Sequence, residues 1–233
     1  MGKKLICIAH RGASGHEPEN TLAAFEKAIA LGADWIELDL FAIENRLVVI
    51  HDNTLERTTS GKGWVTDHNL AYLRGLDAGK GNRIPFFTEI LDLVARRTGV
   101  NAELKGPDTA VPLVEVVNKY VRQHGWSYKD FLVSSFDHRQ IKTTKMLQPS
   151  LPVGLNINGV PLHLDRLVGE LSPWSLHVSL DFASKELIAD IHALGCKAFV
   201  FTVNTEADLE RVKSMGADGI FTNFPELLTG RKA

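Results

Sequence analysis

The chain has 233 residues, 44% of them hydrophobic, enough for one large domain or two small ones, and a single barrel-sized domain is the simpler expectation. Its 26 basic and 28 acidic residues leave a formal charge of −2, and no basic run exceeds a pair, which argues against a nucleic-acid partner and for a small one. Cys7 and Cys196 are too few for a disulfide framework and read as reduced core residues, so a reducing compartment is expected.

The N-terminus "MGKKLICIAH" leaves only six residues between Lys4 and Arg11, too few for a signal-peptide apolar core, and Ile6 stands where a myristoylation motif wants Ser or Thr. Nothing further along approaches a membrane span, and a cytoplasmic chain without stable membrane association is expected. A first strand, 5–10, ends on His10, followed by Arg11 and Gly12. In "EPENT", Pro18 stiffens the approach and Asn20 or Thr21 can cap a helix over 21–31; Glu19 is not needed for the cap and is free to touch a metal shell or fix an imidazole.

Strands follow at 35–40 and 46–51, the second ending on His51. Segment 52–85, with glycines at 61, 63, 75, 79 and 81, is too long for a loop and reads as an insertion after the second-strand hairpin. Beyond it, strands are expected near 100–104, 131–135, 152–155, 175–180, 197–202 and 219–222, with helices near 87–97, 110–124, 137–147, 161–171, 184–194 and 205–215. "LGADWIEL", "LGCKAFVF" and "MGADGIFT" each place Gly where a helix needs a left-handed residue before an apolar strand. About eight such alternations in an α/β chain of this length fit a closed (β/α)8 TIM barrel with a small insertion better than an open sheet.

Side chains two apart on a strand share a face, so "ELD" pairs Glu37 with Asp39 and "ELK" pairs Glu103 with Lys105. If those faces point inward, three carboxylates converge beside one lysine and require a positive charge or protonation. Oxygen ligands alone favour one hard divalent cation, Mg²⁺ or Ca²⁺; barrel-end acids paired with Lys105 and nearby arginines are the alternative. His10 and His51 end two apolar runs and should share one rim, where two imidazoles suit acid and base work near neutral pH. The alternative for a lone histidine at a strand end is a hydrogen-bonding structural role, which two equivalent ones make a weaker competitor. Arg11 offers a planar fork for phosphate or carboxylate, or an ordinary ion pair. The remaining histidines, at 16, 68, 124, 138, 163, 177 and 192, fall mostly in expected loops or helices and are assigned no chemistry.

"AHRGASGHEPENT", "GADWIELDL", "VVIHDNTLERTTSGKGWVTD", "LDAG", "AELK", "SSF", "TVN" and "GADGIFTN", in this order, resemble the glycerophosphodiester phosphodiesterases over nearly the whole chain. The resemblance implies one domain, a (β/α)8 barrel with an insertion near 52–85, that hydrolyses glycerophosphodiesters to sn-glycerol 3-phosphate and an alcohol. It also implies metal ligands at Glu37, Asp39 and Glu103, acid/base residues at His10 and His51, and phosphate contacts at Arg11 and Lys105. Glu19 and Asn20 match the family's "ENT" at the same rim, and Phe136 matches a position lining the glycerol side. Phe201 stands where many members carry Trp before "TVN", which alters a pocket wall. "IENR" replaces the usual Asp-Gly turn, changing a hairpin and not the chemistry. Two alternatives are a lyase of the sphingomyelinase D-like or phosphoinositide phospholipase C-like type that stops at a cyclic phosphate, and a noncatalytic phosphodiester-binding barrel. The mostly polar 52–85 segment favours soluble substrates over a membrane-docking lyase.

Overall fold

The structure, a computed structural model, describes residues 4–232; the leader expectation falls in part on Met1–Lys3, outside the described residues. The strands are β1 (Ile6–Ala9), β2 (Trp35–Ile43), β3 (Arg46–Val49), β4 (Gly99–Leu104), β5 (Phe131–Ser135), β6 (Val153–Ile157), β7 (Ser175–Ser179), β8 (Lys197–Phe201) and β9 (Gly219–Thr222). The sheet order β1-β9-β8-β7-β6-β5-β4-β2 closes where β1 pairs with β2, Ile8 opposite Trp35. This is the expected closed eight-stranded parallel barrel, with β3 as one extra antiparallel strand on the outer half of β2.

Helices return the chain between strands: α1 (Leu22–Ala30), α2 (Leu70–Gly75), α3 (Phe87–Val94), α4 (Ala110–Gln123), α5 (His138–Leu147), α6 (Leu164–Leu171), α7 (Lys185–Ala193), α8 (Glu206–Met215) and the short α9 (Glu226–Thr229). Local chemistry sets their ends. Thr21, rather than Asn20, caps α1, its Oγ1 accepting from the Ala24 amide at 3.2 Å. Gly32, Gly195 and Gly216, the leaders of the three similar stretches, all have the left-handed φ that stops a helix, at 78°, 78° and 87°. Glu44 and Asn45 turn the β2–β3 hairpin at φ 48° and 59°, so the mirror-image turn that Asp-Gly would favour is made by other residues.

Helix α1 buries Ala24, Phe25 and Ala28 against the barrel. Phe25, Phe87 and Phe131 are each at most 1% exposed, and burying a side chain of that size stabilises the fold by roughly 1.5–3 kcal/mol. The insertion has its own apolar cluster, in which Leu55, Val65, Leu73, Leu76 and Ile84 pack on Phe41, Ile43, Val48 and Ile50 of the hairpin. The expected strand 46–51 ends at Val49, which leaves His51 at the rim as the chain departs into the insertion. Register then sets the interior layers: Asp39 lies opposite Glu103, Glu103 opposite Ser134, and Asn156 opposite His177.

Candidate active site

At the C-terminal end of the barrel strands a cavity of about 280 Å³ is lined by His10, Arg11, Glu37, His51, Glu103 and Lys105 on one side and by Phe136, Asn156, His177 and Phe201 on the other. Asp39 lies beside it, so the three acids meet as the strand faces require: one oxygen from each of Glu37, Asp39 and Glu103 lies within 4.8 Å of the others. Burial, reinforced by the Asp39 and Glu103 charges, pushes the Glu37 carboxyl well above its ordinary range. Burial and then the Asp39 charge raise Glu103 to about 7. Asp39 Oδ1 is buried without a hydrogen-bond partner among the described residues, and Glu103 Oε1 meets the Lys105 ammonium at 3.3 Å. An all-oxygen trio with an orphaned, buried oxygen fits a hard divalent cation.

The two histidines do reach one rim. His10 Nδ1 donates to Asn223 Oδ1 at 2.8 Å, and Asn223 is itself held because its amide donates to Asn204 Oδ1 at 2.8 Å. The "TVN" and "FTN" segments thereby fix the imidazole's tautomer. Burial, with Arg11 adding to it, lowers His10 to about 4, so the ring is neutral at neutral pH. His51 Nδ1 donates to Asp52 Oδ1 at 2.6 Å and its Nε2 accepts from Lys105 Nζ at 3.1 Å. Burial lowers His51 as well, against the opposing pull of Asp39.

The loop between β1 and α1 is built for this corner. Gly12 has φ 82°, and a Cβ there would lie 2.7 Å from Ala24, so only glycine passes. Arg11 and Asn20 are also left-handed, at φ 57° and 59°. This backbone turns the Arg11 amide onto Glu37 Oε2 at 2.8 Å, while Asn20 Nδ2 donates to Asp39 Oδ2 at 2.9 Å. Asn20 therefore holds one carboxylate of the acidic trio. Glu19 departs from expectation: its oxygens touch neither the acidic trio nor an imidazole but accept from Arg11 Nη1 at 2.8 Å and from Arg57 at 2.7 and 2.8 Å. The guanidiniums outcompete both, and although burial opposes it they bring the Glu19 pKa down to about 2.

Phe136 and Phe201 meet edge to face with centroids 5.9 Å apart, and the Lys105 ammonium lies 5.8 Å from the Phe136 ring centre. Several site residues were not expected. Asn156 donates through Nδ2 to Glu103 Oε2 at 3.0 Å, while its Oδ1 has no partner among the described residues. His177, 1% exposed, bonds Ser175 Oγ at 2.9 Å through Nε2, and its Nδ1 has no partner among the described residues. Room for its ring comes from Gly154, where a Cβ would lie 2.6 Å from Nε2. Burial drives His177 down to about 3 and keeps it neutral. The alternation Ser175, His177, Ser179 on an expected strand was the available signal for an inward polar face.

Two larger clefts lack this chemistry. One of about 620 Å³ opens at the opposite end of the barrel beside Lys4, Asp34 and Arg231. The other, about 530 Å³, separates the insertion from the β1–α1 loop.

The sequence pattern of the glycerophosphoryl diester phosphodiesterase family matches residues 10–227. The chain is similar to a glycerophosphodiester phosphodiesterase of Caldanaerobacter subterraneus, 36% identical over 235 residues that cover 97% of this chain and 96% of that protein. A glycerophosphodiester phosphodiesterase of Bacillus subtilis is 32% identical over 249 residues, covering 96% and 85%. Among solved structures, a phosphodiesterase of Oleispira antarctica in complex with the product sn-glycerol-3-phosphate superposes with a TM-score of 0.88 at 31% identity, covering 96% of this chain and 94% of that one.

Proposed function

The chain belongs to the glycerophosphoryl diester phosphodiesterase family and is an enzyme of that activity; on that premise we propose that it hydrolyses glycerophosphodiesters to sn-glycerol 3-phosphate and an alcohol, with one divalent cation, Mg²⁺ or Ca²⁺, and with His10 and His51 exchanging the protons. What carries this proposal is one juxtaposition: two imidazoles, a guanidinium, an ammonium and the acidic trio around a single cavity.

Glu37, Asp39 and Glu103 would hold the cation, which when bound supplies electrophilic stabilisation of a phosphate oxygen. Arg11 and Lys105 meet the remaining phosphate charge with donors already in place. One imidazole takes the proton of the nucleophile, water or the substrate's own hydroxyl, and the other gives one to the leaving alkoxide. Asp52, opposite the donating Nδ1 of His51, stabilises that ring's imidazolium, the form that gives a proton, whereas the His10 tautomer held by Asn223 leaves its Nε2 as the accepting nitrogen. On the other wall Phe136 and Phe201 take up the carbon skeleton of the glycerol, and the free Asn156 Oδ1 and His177 Nδ1 meet its hydroxyls.

The whole chain then acts as one domain, with 52–85 as its insertion, on a small molecule. No helix among the described residues is long and apolar enough to cross a membrane. Two buried free thiols, Cys7 pushed up to about 12 chiefly by burial, favour a reducing, cytoplasmic setting. Phosphorus NMR of glycerophosphocholine turnover tests the proposal: an open phosphomonoester is expected. A cyclic diester as the end product would make the enzyme a lyase, and no turnover of any glycerophosphodiester would reduce the barrel to a binder.

A further inference from the structure

Arg57 belongs to the insertion and does not line the cavity, yet through two carboxylates it joins two of the groups that do. Its Nη1 and Nη2 donate to Glu19 Oε2 and Oε1 at 2.7 and 2.8 Å. Its Nε donates to Asp52 Oδ2, and Nη2 donates again to Asp52 Oδ1 at 2.8 Å. Each carboxylate in turn carries one residue of the site: Glu19 Oε1 accepts from Arg11 at 2.8 Å, and Asp52 Oδ1 accepts from His51 at 2.6 Å. The series extends at both ends to the acidic trio. Arg11 Nε lies 3.5 Å from Asp39 Oδ2, and Lys105 bridges His51 Nε2 at 3.1 Å to Glu103 Oε1 at 3.3 Å.

We propose that Arg57 is a positioning residue: one guanidinium forks two carboxylates and so fixes Arg11 and His51 relative to each other. Glu19 and Asp52 both bond the same Nη2, so without Arg57 two like charges would face each other and separate, carrying Arg11 and His51 with them. Lysine has no planar fork and cannot hold both carboxylates bidentately. At 48% side-chain exposure Arg57 contributes little to global stability, so its role is geometric. The insertion is thereby tied to the chemistry without entering the cavity.

The proposal rests on the assigned reaction, and its test separates the two. Wild-type turnover of glycerophosphocholine checks the reaction. In Arg57→Ala, kcat/KM should fall on the order of 10- to 100-fold, with both KM and kcat affected, since Arg11 binds substrate and His51 moves a proton. The melting temperature should stay near wild type, and millimolar methylguanidinium should restore part of the rate. Arg57→Lys, which keeps the charge, should remain impaired. In a Glu19→Gln, Asp52→Asn background, adding Arg57→Ala should cost little more, because its targets are gone. Independently of activity, the downfield proton NMR signal of the His51 Nδ1–H should shift or vanish in Arg57→Ala. Any one of the following overturns the clamp: Arg57→Lys within about twofold of wild type, a loss that follows the melting temperature and ignores methylguanidinium, a full further loss in the double background, or an unmoved His51 signal.

Discussion

The wall formed by β1 to β4 carries the charge of the cavity, in Arg11, Glu37, Glu103 and Lys105, whereas the wall formed by β5 to β8 carries none, in Phe136, Asn156, neutral His177 and Phe201. On the first wall guanidinium, ammonium and carboxylate are interlocked, so donors are fixed before a substrate arrives. On the second, two rings meet edge to face and two buried polar atoms have no partner among the described residues. A phosphodiester with a glycerol arm has the same asymmetry, one charged centre and one neutral, hydroxylated chain. On the proposed reaction, the division by strand is one between the groups that would act on the phosphate and those that would meet the glycerol arm.

The charged wall should break first and hardest. Chelation with EDTA is expected to abolish turnover, with Mg²⁺ or Ca²⁺ restoring it; a fully active chelated enzyme would remove Glu37, Asp39 and Glu103 from the mechanism. Next, His10→Ala and His51→Ala should each lower kcat on the order of 10² to 10⁴-fold while circular dichroism stays native. Near-normal turnover in either variant excludes that residue as a proton carrier.

The neutral wall should give smaller, substrate-dependent effects. His177→Phe is expected to lower kcat/KM for glycerophosphocholine about tenfold, as for one lost hydrogen bond, and to leave bis(p-nitrophenyl) phosphate, which has no hydroxyl arm, unaffected. Equal losses on both substrates would show that His177 serves folding and not recognition.

The smallest effect concerns pH. Glu103, raised to about 7, binds its proton more tightly folded than unfolded, so without cation stability falls as pH rises from the ordinary carboxylate range toward 7. A cation needs the ionised form. The rise in melting temperature on adding Ca²⁺ should therefore be small near pH 5 and grow through about pH 7. A rise independent of pH would mean that the cation binds elsewhere.

Much of the charged wall was legible because it is local. His10 and His51 end apolar runs, and Glu37 with Asp39 and Glu103 with Lys105 follow the two-residue period of a strand, so closing the barrel brings them together. The partners were not legible. Asn223 lies 213 residues from His10, and Arg57 lies 38 from Glu19, distances over which periodicity carries no information. Glu19 illustrates the difference: its place at the rim could be expected, but whether it would face the acids or the arginines depended on where the insertion packed. His177 was assigned no chemistry along with the other remaining histidines, although it stands on the expected strand 175–180.

By itself, then, the sequence determined the alternation of strands and helices, the caps and left-handed glycines, and which side chains share a strand face, because these follow from the stereochemistry of neighbouring residues. Only the tertiary structure decided the arrangement around them: that Asn204 and Asn223 fix the His10 tautomer, that Asn20 holds Asp39, that Arg57 spans Glu19 and Asp52, and that Asn156 and His177 keep free polar atoms against a ring of phenylalanines. Those outcomes depend on barrel closure, strand register and the docking of the insertion, which bring distant groups within 3 Å or so of one another, the range in which hydrogen bonds and desolvation act.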